Sequence, residues 1–166
     1  MISFELVISL LVVFLVLLTI YLGIKIVPQS KVFVIERFGR YHRTLNAGLS
    51  IIIPYLDTVA HRIDILERQL ESQKISVITR DNVEVELETS VFYRVIDASR
   101  SVYRISNIDQ ALTTETAAVV RSAAGKLELD ELQSSRDKMN AEIASTLSPS
   151  ADEWGINITR TSITDV

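Results

Sequence analysis

Val83-Glu84-Val85-Glu86-Leu87-Glu88-Thr89-Ser90-Val91-Phe92-Tyr93-Arg94-Val95 alternates in character along its whole length. The odd-numbered positions are apolar apart from Thr89, while Glu84, Glu86, Glu88, Ser90, Phe92 and Arg94 fill the even ones. A period of two sends these sets to opposite faces of a β-strand. Upstream, Ile75 to Thr79 reads as a partner strand joined across an Arg80-Asp81-Asn82 turn, which makes a hairpin. Downstream of Ile96 the period lengthens to about 3.6, the repeat of a helix. Ile108, Ala111, Leu112, Glu115, Ala118, Val119, Ser122 and Ala123 then mark one helical face, with Asn107 as N-cap and Gly125 as the stop. A second helix is expected from near Ser134, whose spacing to Asp137 resembles a capping box. Met139, Ile143 and Leu147 follow at i+4 spacing, and Pro149 is read as its end. The last segment, Gly155 to Val166, is strand-like, and its alternation slips near Arg160, which points to a bulge. Antiparallel strands, then two helices, then a final strand give an α+β fold.

Towards the N-terminus, Lys31 to Phe38 is β-branched and aromatic, and Gly39 closes it. Arg40 to Gly48 reads as a polar turn region. An apolar run, Leu49 to Ile53, ends at Pro54, and Thr58 to Ile65 reads as another strand. Ahead of all of these lies Leu6 to Ile24, nineteen residues without a charge between Glu5 and Lys25. As a helix it spans roughly 28 Å, enough to cross a bilayer. A cleaved signal would want a basic N-terminal region, a shorter apolar run and a small-residue cleavage site, and none is present, so the segment is read as a retained anchor. A buried core helix is the other alternative, but Leu, Val, Ile and Phe all round the helix suit lipid better.

Lys25, Lys31, Arg37, Arg40 and Arg43 all follow the span within about twenty residues, the range over which basic flanks set topology. They place the C-terminal part in the cytoplasm and a short N-terminus outside. With no Arg- and Ser-rich transit peptide, a bacterial plasma (inner) membrane is the expected location. The domain organisation is then an anchor over 1–25, a membrane-proximal β-rich subdomain over 26–95, and an α/β subdomain over 96–166.

Residues 25–166 hold 17 Lys and Arg against 20 Asp and Glu with no basic stripe, which excludes a nucleic-acid binder. The absence of cysteine excludes disulfides, thiolate metal sites and a Cys nucleophile. His42 and His61 have no nucleophile or carboxylate at a recognisable motif spacing. Gly39 to Gly48 lacks the Gly-Lys-Ser/Thr ending of a phosphate loop, and neither an H-E-x-x-H nor an EF-hand pattern occurs. No enzyme, cofactor or metal is expected on these grounds. Glu84, Glu86 and Glu88 admit a cation, but like charges on one strand face are more often solvated or paired with Lys or Arg. In a closed ring of identical subunits they would meet a basic strip of the next protomer.

Gly48-Leu49-Ser50-Ile51-Ile52-Ile53-Pro54-Tyr55-Leu56 is apolar and too short to span. It fits either insertion into the near leaflet, with Leu49, Ile51, Ile52 and Ile53 in lipid and Tyr55 at the interface, or an ordinary core strand. Lys25, Lys31, Arg37, Arg40 and Arg43 then either meet anionic headgroups or serve only as solvated topology determinants.

Several ordered blocks carry a resemblance. They include Ile26-Val27-Pro28-Gln29, Glu36-Arg37-Phe38-Gly39-Arg40-Tyr41-His42-Arg43-Thr44-Leu45, Ala47-Gly48-Leu49, Val77-Ile78-Thr79-Arg80-Asp81-Asn82-Val83, Gly125-Lys126-Leu127-Glu128-Leu129-Asp130 and Trp154-Gly155-Ile156. From about Ile26 to Val166 the chain resembles the SPFH (band 7) domain of the stomatin and prohibitin superfamily, and within it most resembles the bacterial paraslipins. The resemblance implies a scaffold without chemistry of its own, assembled into large homo-oligomeric rings or cages that organise membrane lipids or proteins. It further implies association with NfeD-type membrane proteins or AAA-type membrane proteases, and it favours membrane contact for Leu49 to Tyr55. Family members usually continue into a long coiled coil, whereas this sequence stops at Val166, as a fragment or a short member would. Ser72-Gln73-Lys74 also stands where paraslipins commonly carry prolines. The rival to a ring-forming scaffold is a monomeric or dimeric tethered adaptor that binds one protein through its sheet edge.

Overall fold

A computed structural model describes residues 3–165 and divides into two units, residues 1–64 and 65–166. The first opens with helix α1, Phe4–Gly23, which is long and apolar enough to cross a membrane. Its side chains are exposed nearly all round, as a helix solvated by lipid requires. The helix stops one residue short of the expected Ile24, because Ile24 already belongs to strand β1, Ile24–Val27. Strands β2 (Lys31–Arg37), β3 (Arg40–Leu45), β4 (Gly48–Ile51) and β5 (Asp57–Asp64) follow.

Two small sheets result, an antiparallel β1–β4 ribbon and a three-stranded sheet in the order β3-β2-β5. The segment read as a polar turn region, Arg40 to Gly48, is instead mostly strand β3. Phe38 and Gly39 both take positive φ, 52° and 76°, and close a two-residue turn between the paired Arg37 and Arg40. That geometry matches the twist of flanking strands and returns the chain directly into β3. The strand was hidden because most of β3 is exposed, so burial leaves no apolar alternation in its sequence. Val27, Phe33, Ile35, Leu45 and Ile52 form the core of this unit.

In the second unit, β8 (Glu84–Val95) is the central strand. Along one edge it pairs antiparallel with β6 (Arg68–Gln69) and β7 (Gln73–Ile78), and along the other with β9 (Ile156–Asp165). The expected hairpin is present, with Asn82 at φ 62° in its turn. The expected slip near Arg160 is present too: Phe92 pairs with Arg160 but Tyr93 with Ile158, leaving Thr159 as the extra residue.

Four helices, not two, lie between β8 and β9: α2 (Ala98–Tyr103), α3 (Ile108–Ala124), α4 (Leu129–Ser134) and α5 (Arg136–Glu153). Asn107 caps α3 by accepting from the Gln110 amide, and Gly125 follows its last residue, both as expected. The buried stripe of α3 is rotated from the expected face: Leu112, Thr116, Val120, Ala123 and Ala124 point inward, while Ala118 and Ser122 are exposed. The ambiguity arose because small residues surround this helix, leaving several stripes of similar polarity.

The expected capping box at Ser134 is overturned. Ser134 is the last residue of α4, and the capping box joins Glu128 to Glu131 at the start of that helix. Pro149 likewise does not end α5. It lacks the N–H that would reach the Ser145 carbonyl, but both residues are exposed, where an unpaired carbonyl costs little, and Ala151 is still buried in the core. Met139, Ile143 and Leu147 are buried against Val120, Ala123, Leu87 and Ile163, as their spacing implied.

Candidate membrane interface

Where α1 ends, the backbone carbonyl of Gly23 accepts from the Ile52 amide at 2.8 Å. A Cβ at position 23 would lie 2.7 Å from the Ile52 carbonyl oxygen, so only glycine lets helix and strand end approach this closely. β1 therefore leaves the helix already paired with β4, in register Ile24 to Ile51 and Ile26 to Leu49. These four side chains share one face of the ribbon, and all are exposed, Leu49 to 70% and Ile51 to 69%. Ile53 and Tyr55 extend the exposed apolar surface past the ribbon's end. A groove of about 410 Å³ lined by Tyr21, Leu22, Ile24, Lys25 and Ile26 crosses the junction of helix and strand.

The loop after β4 folds back along α1. The Tyr55 hydroxyl lies 3.1 Å from Thr19 Oγ1, and Thr19 itself donates to the Leu15 carbonyl at 2.8 Å. A threonine hydroxyl has one proton, so Tyr55 is the donor between the two. Thr19 is four residues inside the helix end, roughly 6 Å along the axis, and that sets the depth of the Tyr55 ring.

Asp57 organises the loop from behind. Its carboxylate is buried, accepts from Arg37 Nε at 2.7 Å and Nη2 at 3.1 Å, and accepts from the Ile53 amide at 3.1 Å. The Arg37 guanidinium outweighs desolvation and, with the Ile53 amide, holds the Asp57 carboxyl down at a pKa of about 2. The same bonds raise the pKa of Arg37.

Among the expected membrane-contact residues, Leu49, Ile51, Ile53 and Tyr55 come together on the exposed surface, whereas Ile52 does not. It is 5% exposed and packs in the core with Val27, Phe33, Ile35 and Leu45, because alternation along the chain turns it opposite to Ile51. The expectation that Ile52 enters lipid is thereby corrected. Of the basic residues, Arg40 is exposed, and Lys25 and Lys31 are half-buried. Arg37 is committed to Asp57, and Arg43 donates to the Ile51 carbonyl, tying β3 to the end of β4. Ile24, Ile26, Thr19 and Asp57 were not singled out from sequence. A lone threonine in an apolar span and a lone aspartate after Pro54-Tyr55-Leu56 were the available signals.

The glutamate ladder lies in the other unit. Glu84 and Glu86 are exposed and Glu88 half-buried, and Glu86 meets Lys74 of its own chain at 3.6 Å between two well-exposed side chains. Such a pair contributes little, about 0–1 kcal/mol. Among the described residues, no group of three or more His, Asp or Glu is placed to hold a metal ion.

The model of the SPFH domain / Band 7 family matches residues 25–166. The chain is 34% identical over 140 residues to human stomatin-like protein 2, mitochondrial, covering 84% of this chain and 39% of that protein. It is 31% identical over 157 residues to an uncharacterized protein of Methanothermobacter thermautotrophicus, covering 95% and 49%. An uncharacterized protein of Mycobacterium tuberculosis is 31% identical over 144 residues, covering 87% and 38%. The chain thus spans between 38% and 49% of the length of these relatives.

Proposed function

Since the chain belongs to the SPFH domain / Band 7 family, we propose that it is a non-enzymatic membrane scaffold whose copies assemble into a ring or cage. The observation that carries this reading is the exposed apolar surface of Ile24, Ile26, Leu49, Ile51, Ile53 and Tyr55, continuous with the end of α1. In water, each such side chain forgoes about 1.5–3 kcal/mol of burial, and immersion in the near leaflet recovers it. α1 crosses the bilayer, the ribbon lies in one leaflet, and Tyr55 sits at the interface, where aromatic rings with a polar tip are favoured. Lys25, Arg40 and Arg43 face headgroups, while Lys31, at the far end of β2, counts only in the basic flank that puts the domain on the cytoplasmic side of a bacterial plasma membrane. Many protomers, each occupying one leaflet, enclose and order a patch of lipid.

Glu84, Glu86 and Glu88 line a contact between protomers. NfeD-type membrane proteins and AAA-type proteases are the proposed clients, on the family resemblance alone. The adaptor reading has one observation in its favour, the outer edge of β7, which pairs only with β8 among the described strands and can accept an added strand.

The deciding experiment is the mass of the particle in lipid nanodiscs or mild detergent, on the chain with its native continuation if there is one. A closed assembly of many protomers is expected, and Glu86→Lys should reduce it. A monomer or dimer overturns the ring and leaves the adaptor; an assembly indifferent to Glu86→Lys removes the glutamates from the contact.

A further inference from the structure

Phe38 combines two features that are unfavourable for a protein in water. It is 79% exposed, and it holds φ 52° at the first central position of a two-residue turn. Asn or Gly is the favoured residue at such a position, and a bulky side chain there is strained. The sequence pattern puts Phe38 at the end of a strand, and neither the anchor nor the Leu49–Tyr55 surface accounts for it.

Its place in the unit does. A short series of bonds leads from α1 to this turn: the Gly23 carbonyl to the Ile52 amide, the Ile53 amide to Asp57, and Asp57 to Arg37, the residue before Phe38. Arg37 is also paired with Asp57 across β2 and β5, two residues after the Tyr55 that bonds Thr19. The Phe38-Gly39 turn therefore lies at the end of the sheet nearest the helix terminus. The opposite strand ends, at Lys31 and Asp64, lie away from it. Arg40 follows at once and is exposed.

We infer that the Phe38-Gly39-Arg40 turn is a separate lipid-binding point, with the Phe38 ring in the acyl–headgroup boundary of the leaflet from which α1 emerges and Arg40 among the headgroups. The inference rests on the membrane reading of the Ile51–Tyr55 surface. Continuity with the end of α1 identifies the occupant as lipid, and an aromatic ring beside a basic residue has the chemistry of an interfacial anchor. With α1 and Tyr55 it makes a third point of attachment, so the β3-β2-β5 sheet is held against the bilayer and cannot swivel about the helix end.

The test exploits the absence of native cysteine. Phe38→Cys, Tyr55→Cys and Asn46→Cys full-length chains are each labelled with a nitroxide, reconstituted into phosphatidylcholine–phosphatidylglycerol vesicles, and read by collision with oxygen and with a nickel chelate. The expected result is oxygen-dominated collision at 38 and 55, inverted to nickel-dominated at 46. Lipid contact at 55 with an aqueous signal at 38 overturns the inference and leaves the membrane surface standing. Aqueous signals at both overturn both. A label at 38 immobilised and shielded from both reagents also overturns it, in favour of a second copy covering Phe38. Should the cysteine disturb the turn, Phe38→Trp in a Trp154→Phe background keeps the ring, and brominated lipids are expected to quench it. An unquenched Trp at position 38 overturns the inference in the same way. Phe38→Asn adds a readout that a merely structural role would not produce: the melting temperature holds or rises while lipid contact of the turn is lost.

Discussion

In residues 65–166 the apolar side chains of β7, β8, α3 and α5 converge on a shared core, and helical spacing tells which residues enter it. In residues 1–64 the corresponding side chains of α1, β1 and β4 point outward, and a smaller core of Val27, Phe33, Ile35, Leu45 and Ile52 sits behind them. Among the described residues, the exposed large apolar side chains beyond Asp64 are Leu66, Ile78, Val83, Ile96 and Tyr103; every other one lies in the first unit. The hydrophobic effect drives both arrangements, since apolar surface leaves water in each. What differs is the acceptor: protein in one unit and, on our reading, lipid in the other. An exposed apolar residue in the first unit therefore has a different meaning from one in the second, and substitutions separate the two.

The largest effect is expected from Ile52→Asp, which places an unpaired carboxylate in the core of the first unit. It should cost several kcal/mol and unfold that unit in detergent as well as in lipid. A folded, soluble Ile52→Asp variant would mean that the core assignment is wrong. Next comes Ile143→Ala in the second unit, where loss of a fully buried side chain should cost about 2–5 kcal/mol. Urea unfolding followed by Trp154 fluorescence reads it, and a cost near zero would contradict the dense packing of α3 and α5.

Asp57→Asn should cost about 2 kcal/mol, since it removes the charge from a hydrogen-bonded pair. The same pair makes a pH prediction. The Asp57 carboxyl has its folded pKa lowered from the ordinary 3.8 to about 2, so its contribution is complete above about pH 4 and is lost as pH falls through 2. Asp57→Asn should flatten the acid limb of the stability curve between those values, and an unchanged limb would remove Asp57 as its origin. The smallest effect on stability is expected from Ile51→Asp, within about 0.5 kcal/mol in detergent because the side chain is exposed. In bilayers the same change should withdraw the ribbon, read as weaker quenching of a nearby probe by brominated lipid. Equal unfolding by Ile51→Asp and Ile52→Asp would erase the contrast between the surface and the core behind it.

Much of the architecture was legible where the signal is local. Nineteen uncharged residues, the alternation of Val83 to Val95, and Asn107 and Gly125 around α3 each depend on neighbours within a turn or a strand. Legibility failed where a distant partner decides. Arg40 to Leu45 is a strand because β2 offers it an edge, Pro149 stays helical because Ala151 has a seat in the core, and Ser134 closes a helix that Glu128 and Glu131 had opened. The candidate surface was half legible: Leu49, Ile51, Ile53 and Tyr55 were identified, but Ile52 was included and Ile24 and Ile26 were not.

The sequence by itself determined that the chain begins with a helix able to cross a bilayer, continues as an α+β domain, and belongs among SPFH proteins, because periodicity, caps and ordered motifs are written in consecutive residues. Only the tertiary structure decided which apolar residues face outward. Pairing of β1 with β4 turned Ile24, Ile26, Leu49 and Ile51 to one side and Ile52 to the other, and the bonds Gly23–Ile52, Asp57–Arg37 and Tyr55–Thr19 brought them and Phe38 to the helix end. Those contacts join residues twenty to thirty-six positions apart, and no local pattern specifies which of many such pairings closes.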